Sequence, residues 1–245
     1  MPWRCKRIYS GKILEHEIYP IPLLEKKKSR REKKKESALK QKNLNEKNCK
    51  KKIVRLINTN FTNKDLAVTL TYNHKNLPDS LEECKRDVTN FIRRIKRYLK
   101  KNKLPELKYI AVIENKKRGQ SIRIHHHLIV SGDIKREQLE SMWEKGRCNT
   151  YRLQEDDFGY EGIAKYIIKE PAGNKRFSAS RNLKRPTVEI NDSKFNKRKA
   201  YSLATSQGGL ELEEEYKDYK VVEFKSYVNE ELGAIYISIK MKKRE

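Results

Sequence analysis

Three of the five histidines stand side by side in RIHHHLIV, residues 123–130. The apolar residues around them read as a β-strand, in which successive side chains point to opposite faces. His125 and His127 then point one way and His126 the other. Two imidazoles at i and i+2 on one face are spaced to share a metal ion, and neutral imidazole suits Zn, Ni, Mn, Co or Cu. A third ligand is needed. Glu114, near the end of YIAVIEN, stands eleven positions before His125. If these two segments pair through the KKRGQ turn, its carboxylate sits beside the histidine pair. Two histidines and one carboxylate leave coordination positions open for water or a phosphate oxygen. A lone strand histidine is more often a satisfied polar residue. A same-face pair with a nearby glutamate is less easily read that way.

A second element carries chemistry of its own. IAKYIIKE places Tyr166 and Lys169 three residues apart, on one face of a helix. Tyrosine can form covalent intermediates. With a metal opposite and a lysine beside it, it is equipped to attack a phosphodiester, leaving a 5′-phosphotyrosine link and a free 3′-OH. Lys169 would neutralise developing charge or hold the scissile phosphate. Taken alone, YIIK reads as a packed amphipathic helix.

The elements around these residues follow from pattern. LAVTLTY, 66–72, is rich in β-branched and aromatic residues and fits a buried strand. LPDSLEECKRDVTNFIRRIKRYLKKNKLP reads as a helix, capped by Asp79 or Ser80. Glu82 and Glu83 lie at its positive end, and Val88, Phe91, Ile92, Ile95 and Leu99 form its core face. LKYIAVIEN and SIRIHHHLIVSG are the second and third strands. IKREQLESMWEKG is a short helix with Gly146 as its stop, NTYRL a fourth strand, and DDFGYEGIAKYIIKE a helix closed by Pro171. The order β-α-β-β-α-β-α predicts an α+β fold, a ferredoxin-like or RRM-like antiparallel sheet with helices on one face. SKFNKRKAYSLA fits a further helix, and YKVVEFKSYVNEELGAIYISIKMK a hairpin.

Charge sets the partner class. The 245 residues carry 58 Lys+Arg against 33 Asp+Glu, a formal net of +25. Such a field attracts polyanions and gains from counterion release, which points to nucleic acid. No apolar run approaches the roughly 18–20 residues that span a bilayer, so no membrane partner is expected, and no secretory signal is visible. The four scattered cysteines read as reduced thiols. Residues 26–55 hold 15 Lys+Arg against three Glu. That imbalance predicts a basic N-terminal arm over 1–57, helical or disordered. A core domain over 58–186 and a C-terminal helix and hairpin over 187–245 complete the expected organisation.

Together, LAVTLTY, HHHLIV and AKYIIK resemble the three ordered motifs of the HUH endonuclease superfamily, more narrowly rolling-circle replication initiators (Rep proteins) of bacterial plasmid and phage type. The resemblance covers about residues 58–186, and KRFSASRNLKRP is similar to a basic stretch after the tyrosine in phage-type members. It implies Glu114, His125 and His127 as ligands of a divalent metal (Mg²⁺ or Mn²⁺), Tyr166 as nucleophile and Lys169 as its partner. It implies a single-stranded or hairpin DNA substrate at a replication origin, host helicase and polymerase as partners, and the cytoplasm of a bacterial host. His126 departs from the family pattern, which has a hydrophobic residue there. A shifted site using His126 remains open, as does Tyr160 as a second tyrosine.

Candidate DNA contacts are Arg123, Lys165, Lys175, Arg176, Arg181, Lys184 and Arg185, since arginine grips phosphates bidentately or stacks on bases. Ser178 and Ser180 add neutral contacts. Two other readings stand beside the first. One is a transposase or relaxase of the same superfamily, although conjugative relaxases place the tyrosine ahead of the histidines. The other is a non-catalytic RRM-like single-strand binding protein, whose central strands would carry stacking aromatics rather than histidines.

Overall fold

The computed structural model describes residues 2–21, 39–117, 120–169, 171, 176–205, 208–229 and 233–244. The chain forms two compact units, one of residues 1–51, 156–159 and 185–245, the other of 52–155 and 160–184. Each has its own five-stranded antiparallel sheet.

In the first unit, β1 (Trp3–Ser10) and β2 (Ile13–Pro20) form a hairpin. It is extended by β8 (Thr187–Asn191) on one side and by β10 (Ala234–Lys243) and β9 (Tyr219–Asn229) on the other, in the order β8-β1-β2-β10-β9. Alternation puts Trp3, Cys5, Leu14, Ile18, Ile235, Ile237, Ile239 and Met241 on one face. They share a core with Ala200 and Leu203 of α5 (Lys197–Thr205) and Leu212 of α6 (Gly208–Glu215). This corrects the expected N-terminal arm. Residues 3–20 are central strands, because IYSGKILEHEIYP alternates and turns at Gly11, whose φ is +60°. Residues 22–38, within the expected basic arm, lie outside the described residues.

The helix α1 (Leu39–Asn60) follows, and the division between units falls within it. Its last turns also depart from a solvated arm: Ile53, Val54 and Ile57 are buried, the spacing of one helical stripe.

The second unit runs β3 (Leu66–Thr71), α2 (Leu81–Lys101), β4 (Tyr109–Lys117), β5 (Gln120–Val130), α3 (Arg136–Ser141), β6 (Cys148–Arg152), α4 (Glu161–Ile167) and β7 (Ser178–Ala179). The sheet order β6-β3-β5-β4-β7 contains the ferredoxin-like arrangement of the βαββαβ sequence. Ser80 caps α2, its Oγ accepting from Glu83 N, while Glu83 Oε2 accepts from Asp79 N. The α2 stripe Val88, Phe91, Ile92, Ile95 and Leu99 packs with Leu66, Val68, Leu70, Ala111, Leu128 and Val130 on one sheet face, joined by Leu139 and Trp143. Each such side chain removed from water contributes roughly 1.5–3 kcal/mol, so this face fixes the register of β3, β4 and β5. The opposite face carries Thr69, Glu114, His125 and His127.

Two expected helices are shorter than the patterns suggested. Gly146 does not stop α3, which ends at Ser141. Instead the chain at Gly146 runs against β3, with hydrogen bonds Thr71 N→Arg147 O and Asn73 N→Lys145 O. A Cβ at Gly146 would lie 2.2 Å from Thr71 O, so only glycine fits. The segment Asp156–Tyr160 is a turn and not the first part of α4. Asp156 Oδ1 accepts from Phe158 N, and Gly159 adopts φ +70°, the side-chain turn chemistry that competes with helix.

Candidate metal and tyrosine site

The pairing of β4 with β5 brings Glu114 directly opposite His125 and Val112 opposite His127. On its other side β5 pairs with β3, placing Thr69 opposite His127 and Thr71 opposite His125. A two-residue period on β5 puts His125 and His127 on the face shared with Glu114. Their ligand atoms lie within 4.8 Å of one another, the one such cluster among the described residues.

One carboxylate oxygen serves both rings. Glu114 Oε2 lies 3.1 Å from His125 Nε2 and 3.0 Å from His127 Nε2. His125 Nδ1 lies 3.0 Å from the carbonyl of Arg123. A carbonyl only accepts, so this contact keeps the hydrogen on Nδ1 and the lone pair on Nε2. His127 is held neutral: burial lowers its pKa, the neighbouring His125 adds to this, and Glu114 opposes both. In neutral His125 the bare Nε2 facing the Glu114 oxygen at 3.1 Å is repelled unless a cation lies between them. Adjacent ligands of an octahedral ion with bonds of 2.0–2.1 Å stand about 3 Å apart, matching both separations. The donor set therefore fits a divalent metal.

His126 points to the other face and takes no part in the cluster. It is fully buried, its Nε2 is 2.8 Å from Tyr72 Oη, and its ring meets Trp143 edge-on. Burial pushes its pKa down to about 3. Tyr72 in turn donates to Asp87, which is paired with Lys145 at 3.0 Å. The shifted metal site using His126 is thereby ruled out in this arrangement.

Tyr166 lies on α4 with its ring centroid 5.2 Å from that of His127, edge to face. It is 60% exposed despite that contact, so the phenol is open to a ligand entering beside the triad. Lys169 falls beyond the end of α4, which the structure stops at Ile167. Its backbone N–H donates to Tyr166 O at 3.3 Å, and its side chain is exposed. Helical spacing thus does not set its direction, contrary to the expected shared face. Tyr160 is buried and structural: its hydroxyl donates to Asn63 and its N–H to Asn58.

The expected DNA contacts divide. Arg123 shares the His125 face of β5 and is exposed. Lys165 is ion-paired with Glu161, one turn before it. The antiparallel pairing of β7 with β4 sets Arg176 toward the Glu114 end. Arg181 and Lys184 follow at the Tyr109 end, remote from the triad. There Arg181 lines a cleft of about 940 Å³ with Lys96, Lys100, Lys103 and Tyr109, and the backbone of Lys184 bonds to Asn60. Arg185 belongs to the other unit. Lys175 lies outside the described residues. The hydroxyls of Ser178 and Ser180 bond to the β4 backbone. Sequence reading missed Thr69, whose Oγ1 is 3.4 Å from His127 Nδ1. The signal was present: in LAVTLTY, Thr69 and Thr71 alternate with the apolar positions and so face the histidines.

Residues 65–171 match the profile of a family described as replication-associated protein ORF2/G2P. That span holds the triad and Tyr166. No curated protein and no solved structure matches the chain.

Proposed function

We propose that the second unit nicks and rejoins single-stranded DNA at a replication origin to initiate rolling-circle replication, the role suggested by the match of residues 65–171 to the replication-associated protein ORF2/G2P family. The observation that carries this reading is the exposed Tyr166 ring against His127, beside a triad fit for a metal.

In this reading Glu114, His125 and His127 would hold a Mg²⁺ or Mn²⁺ ion, which would supply Lewis-acid polarisation of the scissile phosphoryl group. The Tyr166 oxygen attacks phosphorus and the bond to the 3′ oxygen breaks. The phenol loses its proton and the departing 3′ oxygen gains one, so the products are a 5′-phosphotyrosine and a free 3′-OH. Attack by another 3′-OH reverses the step and joins strands. Arg123, on the triad face, and Lys169, after the helix, hold the phosphate on either side of the cleaved bond. Arg176, Lys165 and the more distant basic residues contact flanking phosphates. A host helicase would separate the strands and a host polymerase would extend the freed 3′ end.

The test is incubation with single-stranded oligonucleotides and Mn²⁺, followed by a denaturing gel. A covalent protein–DNA band that requires both metal and Tyr166, and is lost in Tyr166→Phe with DNA affinity retained, is the expected result. A band unchanged in Tyr166→Phe overturns Tyr166 as nucleophile. Tight binding with no adduct for any sequence favours a binding module that kept the fold without the reaction.

A further inference from the structure

In the first unit, Tyr227 on β9 and Tyr236 on β10 are directly opposite in the antiparallel register. Their rings are 5.0 Å apart and 9° from parallel. Parallel rings on neighbouring strands stand on edge to the sheet, so each presents one face along the direction in which strands follow one another. β9 is the last strand of this sheet. The face of Tyr227 turned away from Tyr236 therefore looks past the sheet edge, and Tyr227 is 61% exposed. Beside it on the same face, two positions earlier, is Lys225. Its side chain is 68% exposed although it pairs with Glu223.

The row continues inward. Ile18 pairs with Ile237 and Arg4 with Tyr19, so Tyr19 and then Arg4 occupy the next positions of the row that holds Tyr227 and Tyr236. The inner face of this sheet is already filled by α5 and α6. A pair serving only to join β9 to β10 would gain from covering its rings. This one leaves an aromatic face bare at the edge, with an exposed ammonium next to it.

We infer that the Tyr227–Tyr236 stack is a single-stranded DNA site: one base stacks on the outer face of Tyr227 and Lys225 takes an adjoining phosphate. Aromatic faces accept any base, and a nearby cation follows the backbone. The chain's net charge of +25 suits the same ligand, and the basic run between Lys26 and Lys35 begins seven positions after Tyr19 in the sequence. The inference rests on the DNA-processing reading only for the identity of the ligand. It adds a sequence-tolerant grip in a unit that contributes no residue to the metal cluster.

The test uses the full chain and a fluorescein-labelled dT12 in EDTA, where no metal-dependent cleavage interferes. Tyr227→Leu is expected to weaken binding by roughly 5- to 150-fold, the range for loss of one base–aromatic stack, whereas Tyr227→Phe keeps the ring and binds as the unaltered protein does. Equal affinity of Tyr227→Leu and unaltered protein overturns the proposal, as does an equal loss in Tyr227→Phe. A measurement on the unaltered chain guards against a variant that fails to fold: photocrosslinking to dT12 bearing one 5-iodouracil. A crosslinked peptide containing Tyr227 is expected, and crosslinks confined to other peptides overturn the site. Both readouts are independent of nicking, so a chain that never forms a covalent adduct still returns a result here.

Discussion

Glu114 and His125 face each other across the β4–β5 ladder, and 3.1 Å separates the carboxylate oxygen from Nε2. Eleven residues of chain bring them together through a hairpin, and the same oxygen reaches His127 at 3.0 Å. The hairpin register is therefore part of the site. A slip of one residue would send both histidines to the α2 face and His126 to the Glu114 face.

The first prediction concerns the ion. Mn²⁺ should raise the melting temperature of the unaltered protein, with stabilisation of about 2.7 kcal/mol once the metal is 100-fold over its Kd. Glu114→Ala and His127→Ala should lose the shift, while Tyr166→Phe keeps it. Differential scanning calorimetry with and without Mn²⁺ reads this directly. A shift that survives in both ligand variants would place metal binding elsewhere.

A second prediction isolates the scaffold behind the histidines. Tyr72→Phe removes a hydroxyl that touches both His126 Nε2 and Asp87. His126 Nδ1 has no partner, so the ring would lose its one hydrogen bond. Leaving a buried polar group unsatisfied costs about 1–3 kcal/mol. Urea unfolding should show that loss in the metal-free protein. Because the altered group lies on the far face, the metal-induced shift should persist in whatever fraction remains folded.

Much of this arrangement was legible in the residues. Period-two spacing at His125 and His127, and the turn between YIAVIEN and RIHHHLIV, were enough to anticipate the cluster. The apolar stripe of α2 gave its helix and its buried face. What escaped was set by close approach or by local polar competition. Gly146 looks like a helix stop, but its role is to let one backbone pass against Thr71. The Asp156 side chain and Gly159 turn the chain where composition alone allows helix, and that delays α4. The strands β1 and β2 were hidden because the nearby lysine-rich run dominates the composition of the first 57 residues, and their partners β8 and β10 are more than 160 residues away.

The third prediction follows from that glycine. Gly146→Ala would put a methyl 2.2 Å from Thr71 O, a backbone atom that cannot swing aside. Two hydrogen bonds anchor this stretch to the end of β3, so relief would cost at least part of both. The variant should lose roughly 2 kcal/mol or more, on the scale of other overpacking changes. Gly233→Ala is the contrast: nothing lies within 4 Å, although φ is +52°, so only the smaller left-handed backbone penalty of about 1–2 kcal/mol applies. Chemical denaturation of the two variants side by side should rank them in that order.

The last prediction is a pH dependence that belongs to the first unit. His16 on β2 is fully buried, its ring meets Tyr216 edge-on at 5.0 Å, and neither ring nitrogen has a hydrogen-bond partner. Burial first, then the charges of Lys194 and Arg7, push its pKa from 6.5 down to about 4, against a smaller opposing pull from Glu215. Between those values the unfolded chain binds a proton that the folded one refuses. Stability is therefore full above about pH 6.5, declines as pH falls through this window, and levels off below about 4 as far as this group is concerned. A fall of that size is worth about 3 kcal/mol. His16→Leu replaces the unpartnered ring with an apolar side chain of similar bulk, and should flatten that part of the curve without touching Glu114, His125 or His127. Urea midpoints for both proteins at half-unit steps from pH 4 to 8 decide it. Equal slopes below pH 6.5 would mean that some other group carries the acid sensitivity; His126, pushed down to about 3 in the second unit, would be the next to replace.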